Sequence, residues 1–277
     1  MLNRFLGCDS SFEQADIIIT GVPFDGTTSF RPGTRFAPAA MRIDSDGIET
    51  YSPYQDKDLT EKQIHDHGDL ELPIGNTLKT LDIIEKHTEI ILKSDKIPVM
   101  IGGEHLVTLP VVRTLLNKHP NLHIIHFDAH TDLREDYLGE KLSHATVMRR
   151  IWELTGDKRI HQFGIRSGEK NEFEFAQKHN FISPFSFEGL SETVKKLETL
   201  PVYLSIDLDI LDPSVLPGTG TPEPGGMIFN QLLHAILSLT PLNIIGADIV
   251  ELSPHYDNSG ISTTVACKIL REVLLLI

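Results

Sequence analysis

Apolar runs bounded by turn residues recur along the chain: Asp16 to Ile19, Pro98 to Ile101, Leu122 to Phe127, Arg159 to Phe163, Val202 to Ile206 and Asn243 to Ala247. Short continuous runs of this kind predict strands covered on both faces. Between them the apolar positions change to helical spacing, as in Leu78, Leu81, Ile84, Thr88 and Ile91, or Val107, Val111 and Leu115. Val194 with Leu197, and Leu233 with Ile236 and Leu237, repeat it. Alternating strands and helices predict an α/β fold with a mostly parallel sheet, because parallel neighbours need crossover connections and these normally contain helices. Pro38 is expected to open a further helix. No linker-like tract or internal repeat divides residues 1–277, which are read as a single domain.

The chemistry-bearing residues follow these runs directly. Gly102-Gly103-Glu104-His105, Asp128-Ala129-His130-Thr131-Asp132, Arg166, Asp207-Leu208-Asp209 and Glu251 all fall at expected strand carboxyl ends. Open α/β sheets bind ligands outside those ends, so residues distant in sequence converge there. Asp128, His130 and Asp132 occupy every second position and share one face of an extended segment. The plainer alternative is a polar loop in which Asp132 caps the next helix. Asp207 and Asp209 repeat the alternation, and carboxylates held that close repel unless a cation neutralises them. Carboxylates with imidazoles suit divalent ions, and two His with four Asp suffice for a two-metal hydrolytic site.

His144 has two readings: a helix-start residue capped by Ser143, or a proton shuttle at the mouth of the site. His123, His126 and His161 fall inside apolar runs and are read as structural. The Gly/Pro-rich stretches Gly26 to Met41 and Asp212 to Gly226 are read as rigid functional loops.

Composition narrows the function classes. The 277 residues carry 39 Asp and Glu against 25 Lys and Arg, a formal charge of −14. That balance opposes binding to nucleic acid or an anionic membrane. Cys8 and Cys267 lie far apart and outside any CxxC pattern, so neither a disulfide framework nor a thiolate metal site is expected. Met1 to Ser10 shows no basic segment leading into a long apolar run, and no stretch approaches the ~20 apolar residues of a membrane span. The expectation is a cytoplasmic protein with neither nucleic-acid nor membrane partners.

Taken together, these motifs resemble the ureohydrolases, the family of arginase, agmatinase, guanidinobutyrase and formimidoylglutamase. The likeness rests on Gly21 to Asp25, Arg31-Pro32-Gly33, Gly102 to His105, Asp128 to Asp132, Ser205 to Asp209, Asp212-Pro213, Thr219 to Pro222 and Asp248 to Glu251, in the family's order over nearly the whole chain. The resemblance implies a three-layer α/β/α sandwich around a mainly parallel eight-stranded sheet, two Mn(II) per subunit, and a trimeric or hexameric homo-oligomer. It implies His105, Asp128, Asp132 and Asp207 around one ion and Asp128, His130, Asp207 and Asp209 around the other, with Asp128 and Asp207 bridging.

By the same resemblance, a metal-bridging hydroxide attacks a guanidinium carbon and releases urea. Glu251 pairs with the guanidinium, Asp132 takes and passes on the hydroxide proton, His144 relays protons, and Thr221 lines the guanidinium end. The segment Leu133 to Lys141 is similar to agmatinases, which points to agmatine as the small-molecule substrate and putrescine as the polyamine product. Glu135, Asp136 or Glu140 would then accept the distal ammonium. Arg134 points the other way, to a carboxylate-bearing guanidine such as guanidinobutyrate or arginine. A non-catalytic metal-binding protein of the same fold is the weakest reading.

Overall fold

A computed structural model describes residues 4–277. Eight strands form one sheet in which every pairing is parallel. Six of them are the apolar runs: β1 (Ile17–Gly21), β5 (Ile97–Ile101), β6 (His123–Phe127), β7 (Ile160–Ile165), β9 (Pro201–Asp207) and β10 (Asn243–Val250). The other two, β4 (Ile64–Asp69) and β8 (Phe181–Pro184), are the edges of the order β4-β1-β5-β10-β9-β6-β7-β8. Both were invisible to a search for apolar runs. Edge strands are only half covered, so polar side chains and proline stand where a central strand needs apolar ones. A small antiparallel pair, β2 (Tyr51–Ser52) and β3 (Lys57–Asp58), lies apart from the sheet.

Alternation along each central strand divides the core into two layers. Ile17, Ile19, Ile101, Phe127 and Ile206 face α1 (Ala37–Asp44), α6 (Leu190–Leu197), α7 (Phe229–Ser238) and α8 (Ile261–Leu276). Ile18, Met100, Ile124 and Tyr203 face α2 (Thr77–Lys93), α3 (Thr108–Lys118), α4 (Val147–Thr155) and α5 (Lys170–His179). The sandwich is therefore the three-layer α/β/α architecture. Pro38 stands in the first turn of α1, as expected. α8 gave no periodic signal because it is buried almost all round, from Cys267 to Leu275.

Strand register prepares the site. Ile101 pairs with Ile249, Ile249 with Ile206, and Ile206 with Phe127, making one row across β5, β10, β9 and β6. One residue past that row the chain reaches Gly102, Val250, Asp207 and Asp128. Four strands thus release their next residues at the same height, within one crevice.

Candidate functional site

The exit from β5 turns sharply. Gly102 and Gly103 have φ of 74° and 80°. A Cβ on Gly102 would lie 2.5 Å from the Pro38 ring, and one on Gly103 2.5 Å from the carbonyl oxygen of Val22. These glycines admit neighbouring chain, and the turn drops His105 into the centre of the crevice. Asp132 and Glu251 also hold left-handed backbone, φ 51° and 66°. Such conformations cost on the order of 1–3 kcal/mol and persist where surrounding structure fixes them.

His105 is completely buried, and its Nδ1 has no hydrogen-bond partner. Around that nitrogen stand Asp128 Oδ2 at 3.2 Å, Asp132 Oδ2 at 3.1 Å and Asp207 Oδ2 at 3.2 Å. The other ring nitrogen, Nε2, lies 2.9 Å from Ser205 Oγ, whose own hydroxyl donates to Asp248 Oδ1 at 2.7 Å. Ser205 therefore accepts from His105 Nε2–H, so that the neutral ring presents its Nδ1 lone pair to three carboxylate oxygens, the arrangement a cation would complete. Donor atoms about 3 Å apart form the edges of a coordination shell with bonds of roughly 2.1 Å. The residues fit a divalent cation.

A second group adjoins the first. His130 Nδ1 stands 2.9 Å from Asp209 Oδ2 and 3.6 Å from Asp128 Oδ1. Asp128 thus turns one oxygen toward each group, and the buried His/Asp cluster suits a binuclear metal site. Burial and the neighbouring charges of Asp209 and Asp128 push Asp207 well above the usual carboxylate range. Burial and Asp128 likewise raise Asp132, to about 6. Bound cations relieve this repulsion.

Glu251 is buried beside the cluster; its Oε1 accepts the His105 backbone N–H at 2.8 Å and lies 3.9 Å from His144 Nδ1. Burial and the nearby Glu104 hold its carboxyl well above the usual range. His144 opens the short 3-10 turn His144–Thr146 before α4, and Ser143 caps that turn. The helix-start reading is therefore correct, and the same residue also faces the site: Nε2 is 2.9 Å from Ser29 Oγ. Burial, then His130 and His105, lowers its pKa to about 4. The Asp132 side chain caps no helix, although its carbonyl accepts the N–H of Arg149 in the first turn of α4. Thr221 Oγ1 donates to Asp209 Oδ2 at 3.1 Å.

Loops close around the centre. Fully buried Glu104 accepts from Thr27 N at 2.9 Å, from the Thr27 hydroxyl, and from Thr28 Oγ1 at 3.1 Å. Thr27 Oγ1 in turn accepts the His144 backbone N–H at 3.0 Å. Arg166 donates to the carbonyls of Asp209 and Glu223, both at 2.7 Å, so it clamps the Asp212 to Gly226 loop and is no ligand. Asp212 fixes both ends of that loop through Ser214 N and the N–H groups of Gly225 and Gly226.

A cavity of about 310 Å³ opens over the cluster, with His130, Asp132, His144, Asp207 and Thr221 in its wall. The acidic residues expected for the distal end do not line this cavity. Glu135 and Asp136 are exposed and outside this lining, and Glu140 borders a neighbouring cavity. Glu169 and Glu172 line it instead, and they hold Arg134: Nη1 to Glu169 Oε1 at 3.1 Å, Nε to Glu172 Oε2 at 3.7 Å. Only the fold brings these three together.

His126 also needs correction. It is not a bystander of the apolar run, for Nε2 lies 2.8 Å from Asp128 Oδ2. The i, i+2 relation of His126 to Asp128 was a signal available in the sequence. His123 and His161, by contrast, pair with each other at 3.0 Å and are hydrogen-bonded to nothing in the cluster.

A model described as the arginase family matches residues 15–276. The chain belongs to the arginase family. Within it, the agmatinase of Bacillus subtilis is 47% identical over 275 residues, covering 98% of this chain and 95% of the relative. A solved structure from Clostridium difficile superposes with a TM-score of 0.95 at 50% identity, covering 96% of this chain and 98% of that one. The agmatine ureohydrolase of Thermoplasma volcanium gives 0.91 at 34% identity, covering 100% and 94%. Other arginase-family members as distant as 22% identity keep the fold.

Proposed function

We propose that this chain is a manganese-dependent agmatinase that hydrolyses agmatine to putrescine and urea. One observation carries the reading: the His105 lone pair facing Asp128, Asp132 and Asp207, set in a chain 47% identical to an agmatinase over nearly its full length. His105, Asp128, Asp132 and Asp207 would hold one ion, and Asp128, His130, Asp207 and Asp209 the other. When bound, the pair acidifies the water that attacks the guanidinium carbon.

The remaining roles belong to the chain. Glu251 receives the guanidinium in fork geometry, which fixes the carbon for attack. Its support is burial beside the cluster, with no Lys or Arg paired to it among the described residues and only His144 Nδ1 at 3.9 Å. Asp132 accepts the attacking water's proton and passes it to the leaving amine. His144, held by Ser29, exchanges protons with solvent across the cavity wall. Thr221 restrains Asp209 and borders the guanidinium end.

The distal group follows from charge pairing. Arg134 is engaged by Glu169 and Glu172, so among the described residues no free Lys or Arg lines the cavity for a substrate carboxylate. The two acids exceed the one base, which favours an ammonium tail. Guanidinobutyrate and arginine are the poorer substrates on this account. The protein acts as one domain in a cytoplasmic homo-oligomer, a trimer or hexamer. Buried, unpaired Cys8 and Cys267 suit a reducing compartment, and no helix among the described residues is long and apolar enough to cross a membrane.

Urea release from agmatine, arginine and guanidinobutyrate, measured in parallel with Mn(II)-loaded and metal-stripped protein, tests the proposal. Manganese-dependent preference for agmatine supports it. A preference for either carboxylate-bearing guanidine would reverse the distal-group argument, and no urea from any of them would refute the activity.

A further inference from the structure

We infer that Asn180, Gln162 and His126 form a buried relay whose task is to hold Asp128 in position for both ions. The inference rests on the metal-centre reading above. It begins with the Gln162 amide, on β7, which has its hydrogen-bonding groups engaged. Nε2 donates to the carbonyl of Thr131 at 2.8 Å and to His126 Nδ1 at 3.1 Å, and Oε1 accepts from Asn180 Nδ2 at 3.0 Å. The Thr131 carbonyl can only accept, so turning the amide over would set oxygen against oxygen. Gln162 therefore presents a donor to His126.

That donor decides the state of the imidazole. With Nδ1 accepting, neutral His126 carries its proton on Nε2 and gives it to Asp128 Oδ2 at 2.8 Å. Both ring nitrogens are thereby occupied, which makes His126 a positioning residue although its donor atom lies among the metal-capable ones. His126, Gln162 and Asp128 have no exposed surface and Asn180 has 2%. At such burial a missing partner is not replaced by bulk water.

Asp128 is the carboxylate that needs this support. Its Oδ2 stands 3.2 Å from His105 Nδ1 and its Oδ1 3.6 Å from His130 Nδ1, so one side chain serves both groups. The terminal torsion of Asp is intrinsically broad. His126 holds Oδ2 and the His130 backbone N–H holds Oδ1, so the carboxylate plane stays where both ions require it. The relay ties this plane to β7 and to Asn180, which caps the end of α5.

Manganese binding by itself is the test, read from free Mn(II) by electron paramagnetic resonance as metal-stripped protein is titrated. His126→Phe and Gln162→Met are each expected to weaken manganese binding about 10–100-fold. His126→Gln restores an N–H near the position of Nε2 and is expected to recover most of the loss. The double variant His126→Phe/Gln162→Met is expected to bind no more weakly than His126→Phe, because Gln162 acts through His126. Metal-free melting temperatures distinguish a general loss of stability from a loss of affinity. If His126→Phe does not fold, Gln162→Met against His126→Gln carries the comparison. Unchanged manganese affinity in Gln162→Met, or additive losses in the double variant, would overturn the relay while leaving the centre intact. Wild-type protein that takes up no manganese would overturn both.

Discussion

Glu251 accepts the backbone N–H of His105 at 2.8 Å, so the residue proposed for the guanidinium also ties the end of β10 to the proposed metal ligand beyond β5. Truncating Glu251 would therefore disturb both functions. Glu251→Gln keeps an acceptor for that N–H and removes only the charge. It is expected to retain two manganese per chain by elemental analysis while kcat/KM falls ~10²-fold, about the 3 kcal/mol lost when one partner of a buried ion pair is neutralised. Loss of metal in this variant would move Glu251 from substrate binding into the support of His105.

Asp207 faces His105 Nδ1 with Oδ2, while its Oδ1 accepts the Asp209 backbone N–H at 2.9 Å. One side chain therefore shapes both ligand groups. Asp207→Ala is expected to lose metal and urea release together, with manganese below one ion per chain after dialysis. Full occupancy with normal turnover would remove Asp207 from the ligand set.

His144 and Ser29 pair at 2.9 Å across the cavity wall. General acid–base groups contribute roughly 10²–10⁴-fold. His144→Phe is expected to slow turnover by about 10²-fold with both metals retained, and Ser29→Ala to slow it less, because the ring remains. Turnover unchanged in His144→Phe would leave His144 only its place at the start of the turn before α4.

His161 makes no hydrogen bond to the cluster and supplies an acid-stability prediction. Burial, followed by His123 and Lys196, lowers its pKa to about 3 from the ordinary imidazole value of 6.5. Between those values the unfolded chain binds the proton and the folded one does not, so stability falls as pH drops below 6.5 and is lost progressively toward 3. At pH 4 this amounts to on the order of 3 kcal/mol. Urea unfolding of metal-stripped protein at pH 7 and pH 4.5 checks it: His161→Phe is expected to be the less acid-sensitive of the two proteins. Equal sensitivity would show that His161 does not titrate on unfolding.

Much of this centre was legible in the sequence, because strands buried on both faces must be nearly all apolar. A polar residue directly after such a run marks a strand end, and Asp128 and Asp207 stood out for that reason, whereas β10 runs on through buried Asp248 to Val250 before it releases Glu251. The two edge strands did not, since half-covered strands have no such constraint: β4 reads Ile-His-Asp-His-Gly-Asp. α8 escaped for the opposite reason, being buried on nearly every side, with Arg271 and Glu272 paired inside it.

What the sequence by itself determined was the set of candidate ligands, since alternation in Asp128 to Asp132 and in Asp207 to Asp209 is a local property of extended chain. Tertiary structure decided what surrounds them. Gln162 reaches His126 only because β6 and β7 pair in register, His126 opposite Gln162. Arg134 loses its claim on a substrate carboxylate only because the start of α5 brings Glu169 and Glu172 against it. Hydrogen bonds and charge pairs depend on distances of a few ångströms between residues tens of positions apart. Those distances are set by strand order and register, which no single stretch of sequence specifies.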